Sequence, residues 1–123
     1  MIDTIITNNP LVNEELSEKY NVEFYEESYI DILIRVRDKV HKGHILLTHP
    51  LSGSVKPNET PYKSIAISNS KKTLDMKSLM VIEESIGTAK KFIEGIGLYK
   101  WSCESIEDFK IVDLSIIKKA LNI

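Results

Sequence analysis

Apolar residues along this chain follow two rhythms, short β-branched runs and steps of three or four residues, and the two alternate for much of its length. Ile2 to Thr7 is a run of the first kind. Asn8-Asn9-Pro10 follows, with Asn9 as an N-cap and proline at the first helical position, so a helix is predicted over Pro10 to Tyr20 with Val12, Leu16 and Tyr20 on one face. Val22 to Tyr25 alternates around Glu23 as a strand with one face less buried. Ser28 with Asp31 resembles a capping box and opens a second helix, Tyr29 to Lys42, striped by Tyr29, Leu33, Val36 and Val40 and closed by Gly43 at C′. Ile45-Leu46-Leu47 then reads as a central strand covered on both faces.

From Thr48 to Lys63 no period is present, and connections of that length inside a domain are usually functional or disordered. Pro50, Pro57 and Pro61 stiffen this one by pushing the residues before them into extended conformations, and Lys56-Pro57-Asn58-Glu59 suits a type I turn. Ser64 to Ser68 has the character of a fourth strand. A third helix is capped at Asp75 and carries Leu79, Ile82, Ile86, Ala89, Ile93 and Ile96 to Gly97, interrupted by Gly87. A fourth starts at a box-like Ser105 and Asp108 and continues through Phe109, Val112, Ile116 and Leu121.

Alternating strands and helices predict an α/β fold: a small three-layer sandwich over residues 1–123 as one domain, with helices on both faces of a mostly parallel four-stranded sheet. The third strand is the most apolar and the second the most mixed, which gives the order 2-1-3-4. Winding then reverses between strands one and three, and open α/β sheets bind ligands beyond the carboxyl ends at such a point. Thr7-Asn8-Asn9 and Thr48-His49-Pro50 would face each other there.

Composition narrows the partners. With 123 residues, 42% hydrophobic and 28% charged, the chain is ordinary globular material. A net charge of -2 carries no basic footprint, which argues against nucleic acid and anionic membrane. One cysteine, Cys103, forms no internal disulfide and fits a reducing cytoplasm. The first residues lack a basic n-region, and no run approaches the ~18 apolar residues of a membrane helix.

Candidate chemistry gathers at the expected crevice. Asn8 and Asn9 precede a helix N-terminus, and Ser52, Gly53, Ser54 and Lys56 add donors from the opposite loop, so a phosphate or carboxylate would be welcome. The structural alternative is that Asn9 only caps and Ser52-Gly53-Ser54 only turns. His49 is the acid–base candidate, against the alternative of a histidine hydrogen-bonded within its loop. Glu59 and Tyr62 are available to a preorganised binding lid, or to a flap over the sheet edge. Arg35 and Arg37 read as solvated or ion-paired, and Cys103 beside Trp101 as packing. His41, His44 and His49 make no metal pair, nothing names a cofactor, and the standard nucleotide-binding and hydrolase signatures are absent.

Thr7-Asn8-Asn9-Pro10-Leu11-Val12, the block from Arg35 through H-K-G-H-I-L-L-T-H-P-L-S-G-S-V-K-P-N-E-T-P-Y-K-S to Ser64, and I-E-E-S-I at Ile82 to Ile86 together resemble the GrdX family. The resemblance implies a cytoplasmic protein encoded with glycine, sarcosine or betaine reductase systems of amino-acid-fermenting anaerobes. It carries no catalytic residue over. A lone cysteine also lacks the dithiol chemistry of a reductase subunit.

Three functions follow as expectations. One is an accessory protein that binds a small anionic or phosphate-bearing metabolite through Thr7, Asn8, Asn9, Thr48, His49, Ser52, Gly53, Ser54, Lys56, Asn58 and Tyr62. Another is an interaction module for a reductase-system protein, using the third or fourth helix. The last is a small enzyme with His49 as acid or base and Lys56 stabilising negative charge.

Overall fold

β1 (Thr4–Thr7), β2 (Asn21–Phe24) and β3 (Ser64–Ile67) form a mixed three-stranded sheet of order β2-β1-β3 in the computed structural model, which describes residues 3–53, 55–98 and 100–123. β2 runs parallel to β1, with Thr4 opposite Asn21 and Thr7 opposite Phe24. β3 runs antiparallel, with Thr4 opposite Ile67 and Thr7 opposite Ser64. All residues of β1 and β3 are buried, as their β-branched runs require, while β2 is half-exposed at the edge.

α1 (Pro10–Leu16), α2 (Tyr29–His41), α3 (Met76–Gly95) and α4 (Cys103–Ala120) cover both faces. Alternation along β1 decides which residue faces which layer. Ile6, with Ile65 and Ile67, meets Ile32, Leu33, Val36 and Val40 of α2 and Ile82, Ile86 and Ala89 of α3. Ile5 and Ala66 meet Val12 and Leu16 of α1 and Ile117 of α4. The α/β class and the three layers therefore stand.

The sheet itself differs from the expected mostly parallel 2-1-3-4. Ile45–Leu47 is not the neighbour of β1; it makes one isolated antiparallel bridge, Leu46 to Ile67, on the far side of β3. Two backbone bonds hold it there, Leu47 N–H to Ala66 O at 2.9 Å and Ser68 N–H to Ile45 O at 2.8 Å. The physical reason is burial. Ser64–Ile67 is covered on both faces and takes the place beside the central β1, whereas Leu47 keeps 45% of its surface in water. Ser78 Oγ of α3 accepts the Leu46 N–H at 3.0 Å, so a helix rather than another strand closes that edge. Because the long loop returns the chain to the carboxyl end of β1, β3 starts beside Thr7 and must run backwards.

Helix ends follow their caps. Asn9 accepts from Leu11 N–H with Pro10 at the first position, Ser28 from Asp31 N–H and Asp75 from Ser78 N–H, all at the expected places. Gly43 ends α2 at φ +101°, where a Cβ would stand 1.9 Å from Lys72 O. α1 stops at Leu16 rather than Tyr20, and α4 is capped by Ser102 rather than Ser105, so it begins at Cys103.

Candidate functional site

Antiparallel β3 with the antiparallel Leu46 bridge makes Ile45–Leu47 run in the direction of β1, so Thr48 and His49 leave the sheet at the rim where Thr7 and Asn8 leave it. One strand separates the two segments. β3 stands where the crevice was predicted between them.

Asn8 and Asn9 are buried, and their amides are spent on protein. Asn8 Nδ2 donates to Glu27 O at 3.0 Å and Pro61 O at 2.8 Å, while its Oδ1 accepts from Lys63 N–H at 2.8 Å. Three loops are thereby stitched at one side chain. Asn9 Nδ2 donates to Lys110 O at 2.9 Å and Asp113 Oδ2 at 3.0 Å, which ties the α1 cap to α4. Neither amide is left for an anion.

Sequence reasoning missed the centre of this rim, which is Asp113. The fourth-helix stripe was expected through Phe109, Val112 and Ile116, but Val112 is 38% exposed and Asp113 is buried beside Ile117. A charge on the inward face costs several kcal/mol unless hydrogen bonds replace water. They do so here: Ser64 Oγ–H donates to Asp113 Oδ2 at 2.7 Å beside the Asn9 amide, and Thr7 Oγ1 lies 2.6 Å from Ser64 Oγ. Burial still dominates and pushes the Asp113 carboxyl above its ordinary range. The signal was present in sequence as Ile111-Val112-Asp113-Leu114, an acid enclosed by apolar neighbours.

Lys63 is the opposite charge at this place and is equally buried. Its Nζ donates to Ser52 O at 3.1 Å, and burial lowers its ammonium pKa against the partial support of Asp113. Tyr29, at the start of α2, is raised by burial and then by the Asp113 charge. Lys63, Asp113 and Tyr29 line one cavity with Ser52, Thr60 and Tyr62. Its free space is about 10 Å³, at the lower edge of room for a single water.

The other expected site residues distribute as follows. Ser52 and Tyr62 line this cavity, and Thr7 and Asn9 back it through Ser64 and Asp113. Thr48 and His49 border a separate groove with Asp75, Lys77 and Ser78. Thr48 Oγ1 is engaged by Ala66 N–H at 3.0 Å, and exposed His49 accepts Leu51 N–H on Nδ1 at 3.1 Å, the loop-bonded alternative. Gly53 is an exposed turn against Ile116, and Ser54 lies outside the described residues. The Lys56-Pro57-Asn58-Glu59 turn forms, with Glu59 N–H donating to Lys56 O at 2.9 Å. Lys56 itself reaches over the Phe92 ring at 5.8 Å, and buried Asn58 donates to Gly97 O at 3.3 Å.

Among the described residues, no group of three His, Cys, Asp or Glu side chains is placed to hold a metal, and no helix is long and apolar enough to cross a membrane. Arg35 is paired with Glu27 through both carboxylate oxygens and lies 3.6 Å from the Tyr25 ring centre, while Arg37 meets Glu83 at 3.5 Å. Cys103 is exposed at the start of α4 rather than packed.

A family model described as GrdX-like protein matches residues 4–122. No curated protein and no solved structure matches the chain.

Proposed function

The chain belongs to the GrdX-like family, and on that premise we propose that it is a cytoplasmic accessory protein of glycine reductase-type amino-acid fermentation that binds a small charged metabolite at the carboxyl end of β1. The observation that carries this reading is Lys63 with Asp113: two buried opposite charges, both pushed towards neutrality, on the wall of one cavity. Shifted groups facing a shared hollow are a mark of sites that handle ligands.

The same pair changes the expected ligand from an anion to a zwitterion. A bare phosphate at this rim meets the Asp113 carboxylate and finds the asparagine amides occupied. An amino acid brings an ammonium for Asp113 and a carboxylate for Lys63. With room for about one water, entry requires the segment around Ser52 to lift, breaking the Lys63–Ser52 bond.

A thermal-shift panel of glycine, sarcosine, betaine and phosphate tests the proposal, since a ligand at 100 times its dissociation constant adds roughly 2.7 kcal/mol. Glycine or sarcosine is expected to raise the midpoint in wild type and not in Lys63→Met. Equal shifts in both proteins, or none with any compound, contradict it. Betaine, which has no N–H for Asp113, is expected to act less.

A second reading, an interaction module for a reductase-system protein, is favoured by exposed apolar residues on α4: Ile111 at 59%, Val112 at 38% and, just beyond its end, Ile123 at 46%. Ile111→Glu would then abolish co-elution with the reductase components and leave ligand shifts intact.

A further inference from the structure

A second hollow, of about 270 Å³, lies between the first turn of α2, Thr60-Pro61, Ile93 near the end of α3, Leu98 and Trp101. Its wall is overwhelmingly carbon, built from Tyr29, Ile30, Pro61, Ile93, Leu98 and Trp101. Four of the described polar groups around it hold partners already. Trp101 Nε1–H donates to Glu59 O at 3.0 Å, Thr60 Oγ1 accepts Tyr62 N–H at 3.2 Å, Ser28 Oγ accepts Asp31 N–H at 3.1 Å, and the Glu27 carboxylate is taken by Arg35. Ligand pockets usually combine apolar walls with a few free polar groups that fix orientation. Here the walls are present, and among the described residues the Tyr29 hydroxyl is the polar group not taken by one of these bonds.

We propose that this hollow is a binding site for a neutral aromatic ring compound, distinct in chemistry from the Lys63–Asp113 cavity it adjoins at Tyr29 and Thr60. Size sets the class. A dry cavity of about 150 Å³ accepts a benzene-sized guest, so about 270 Å³ holds a substituted single ring or a small bicycle. Charge sets the rest: Glu27, the charged side chain among the described lining residues, is neutralised by Arg35, so an ionised ligand loses its hydration without an opposite charge to replace it. Two aromatic side chains, Tyr29 and Trp101, offer stacking or edge contacts that a ring exploits better than an alkyl chain does. The site does not rest on the amino-acid reading.

Trp101 is the chain's one tryptophan, so the protein gives a single indole N–H signal in a proton–nitrogen correlation spectrum, and that signal comes from the wall of the hollow. Titration with toluene and benzyl alcohol is expected to move this signal saturably, while benzoate moves it at least tenfold less at equal concentration. Ile93→Phe fills the hollow and is expected to weaken toluene binding at least tenfold. Leu98→Phe, at a half-exposed rim position, provides the same test if the first variant does not fold. A shift that never saturates, a response to benzoate equal to that to toluene, or unchanged affinity in a folded filling variant overturns the proposal.

Discussion

The Asn9 side-chain amide donates to Asp113 Oδ2 at 3.0 Å, joining the cap of the first helix to the middle of the last. The two sides of this link differ in what they do. Asn9 Oδ1 caps α1 through Leu11 N–H, while Nδ2 holds α4 through Lys110 O and Asp113. Asn9→Ala removes the cap and leaves buried partners unmet, a loss of roughly 2–4 kcal/mol in urea unfolding. Asn9→Ser keeps a cap but not the reach to α4, and is expected to fall between. Asn9→Asp sets two carboxylates together, so its deficit should shrink as pH is lowered towards protonation of the pair.

Asp113 and Lys63 predict opposite pH slopes. Burial raises the Asp113 carboxyl, so its contribution to folding is full below the ordinary value of 3.8 and is lost as pH rises through the folded value. Lys63 is lowered, so its contribution is present above 10.5 and is lost as pH falls through the folded value. Stability of wild type minus Asp113→Asn should therefore decline as pH rises from about 3.8, and wild type minus Lys63→Met should decline as pH falls from 10.5. Difference curves are needed because Glu27 and Asp75, lowered by Arg35 and Ser78, give acid slopes of the other sign.

Two glycines should respond oppositely to alanine. Gly43→Ala forces a Cβ to 1.9 Å from Lys72 O at φ +101° and is expected to cost more than about 2 kcal/mol. Gly87, exposed within α3, has nothing within 4 Å of the added methyl, so Gly87→Ala should stabilise by roughly 0.5–1 kcal/mol. Chemical denaturation of both variants checks the pair.

His49→Ala removes an exposed side chain whose recorded bond is to Leu51 N–H. Stability is expected to change by less than about 0.5 kcal/mol. Glycine-induced thermal shifts should be unaffected, because His49 borders the Thr48 groove and not the Lys63 cavity. Loss of the ligand shift in this variant would return the site to His49.

Local chemistry made the elements legible: the caps at Asn9, Ser28 and Asp75 and the stripe Tyr29, Leu33, Val36, Val40 are short-range facts that the fold keeps. The edge place of β2 beside β1 was legible, but its other neighbour was not, because Ile45–Leu47 and Ser64–Ile67 compete for that place and the more apolar run is the one left outside. The choice is made by burial of both faces of β3 and by Ser78 covering the other edge. At the rim, residue types identified the asparagines but not their use. Donors that look available in sequence are consumed by carbonyls at Glu27, Pro61 and Lys110 that only folding brings near. Asp113 escaped notice because an acid in a helix is ordinarily solvent-facing, and it is folding that brings Ser64, Asn9 and the Lys63 charge to it.

The most direct test follows the Asp113 carboxyl carbon and the Lys63 side-chain nitrogen by isotope-edited resonance through pH titrations with and without saturating glycine. Bound zwitterion should lower the Asp113 value and raise that of Lys63, each returning towards its ordinary range as it gains an opposite charge. Titration curves that glycine leaves unmoved at both residues would contradict a ligand at this pair and reduce it to a structural lock between β3 and α4.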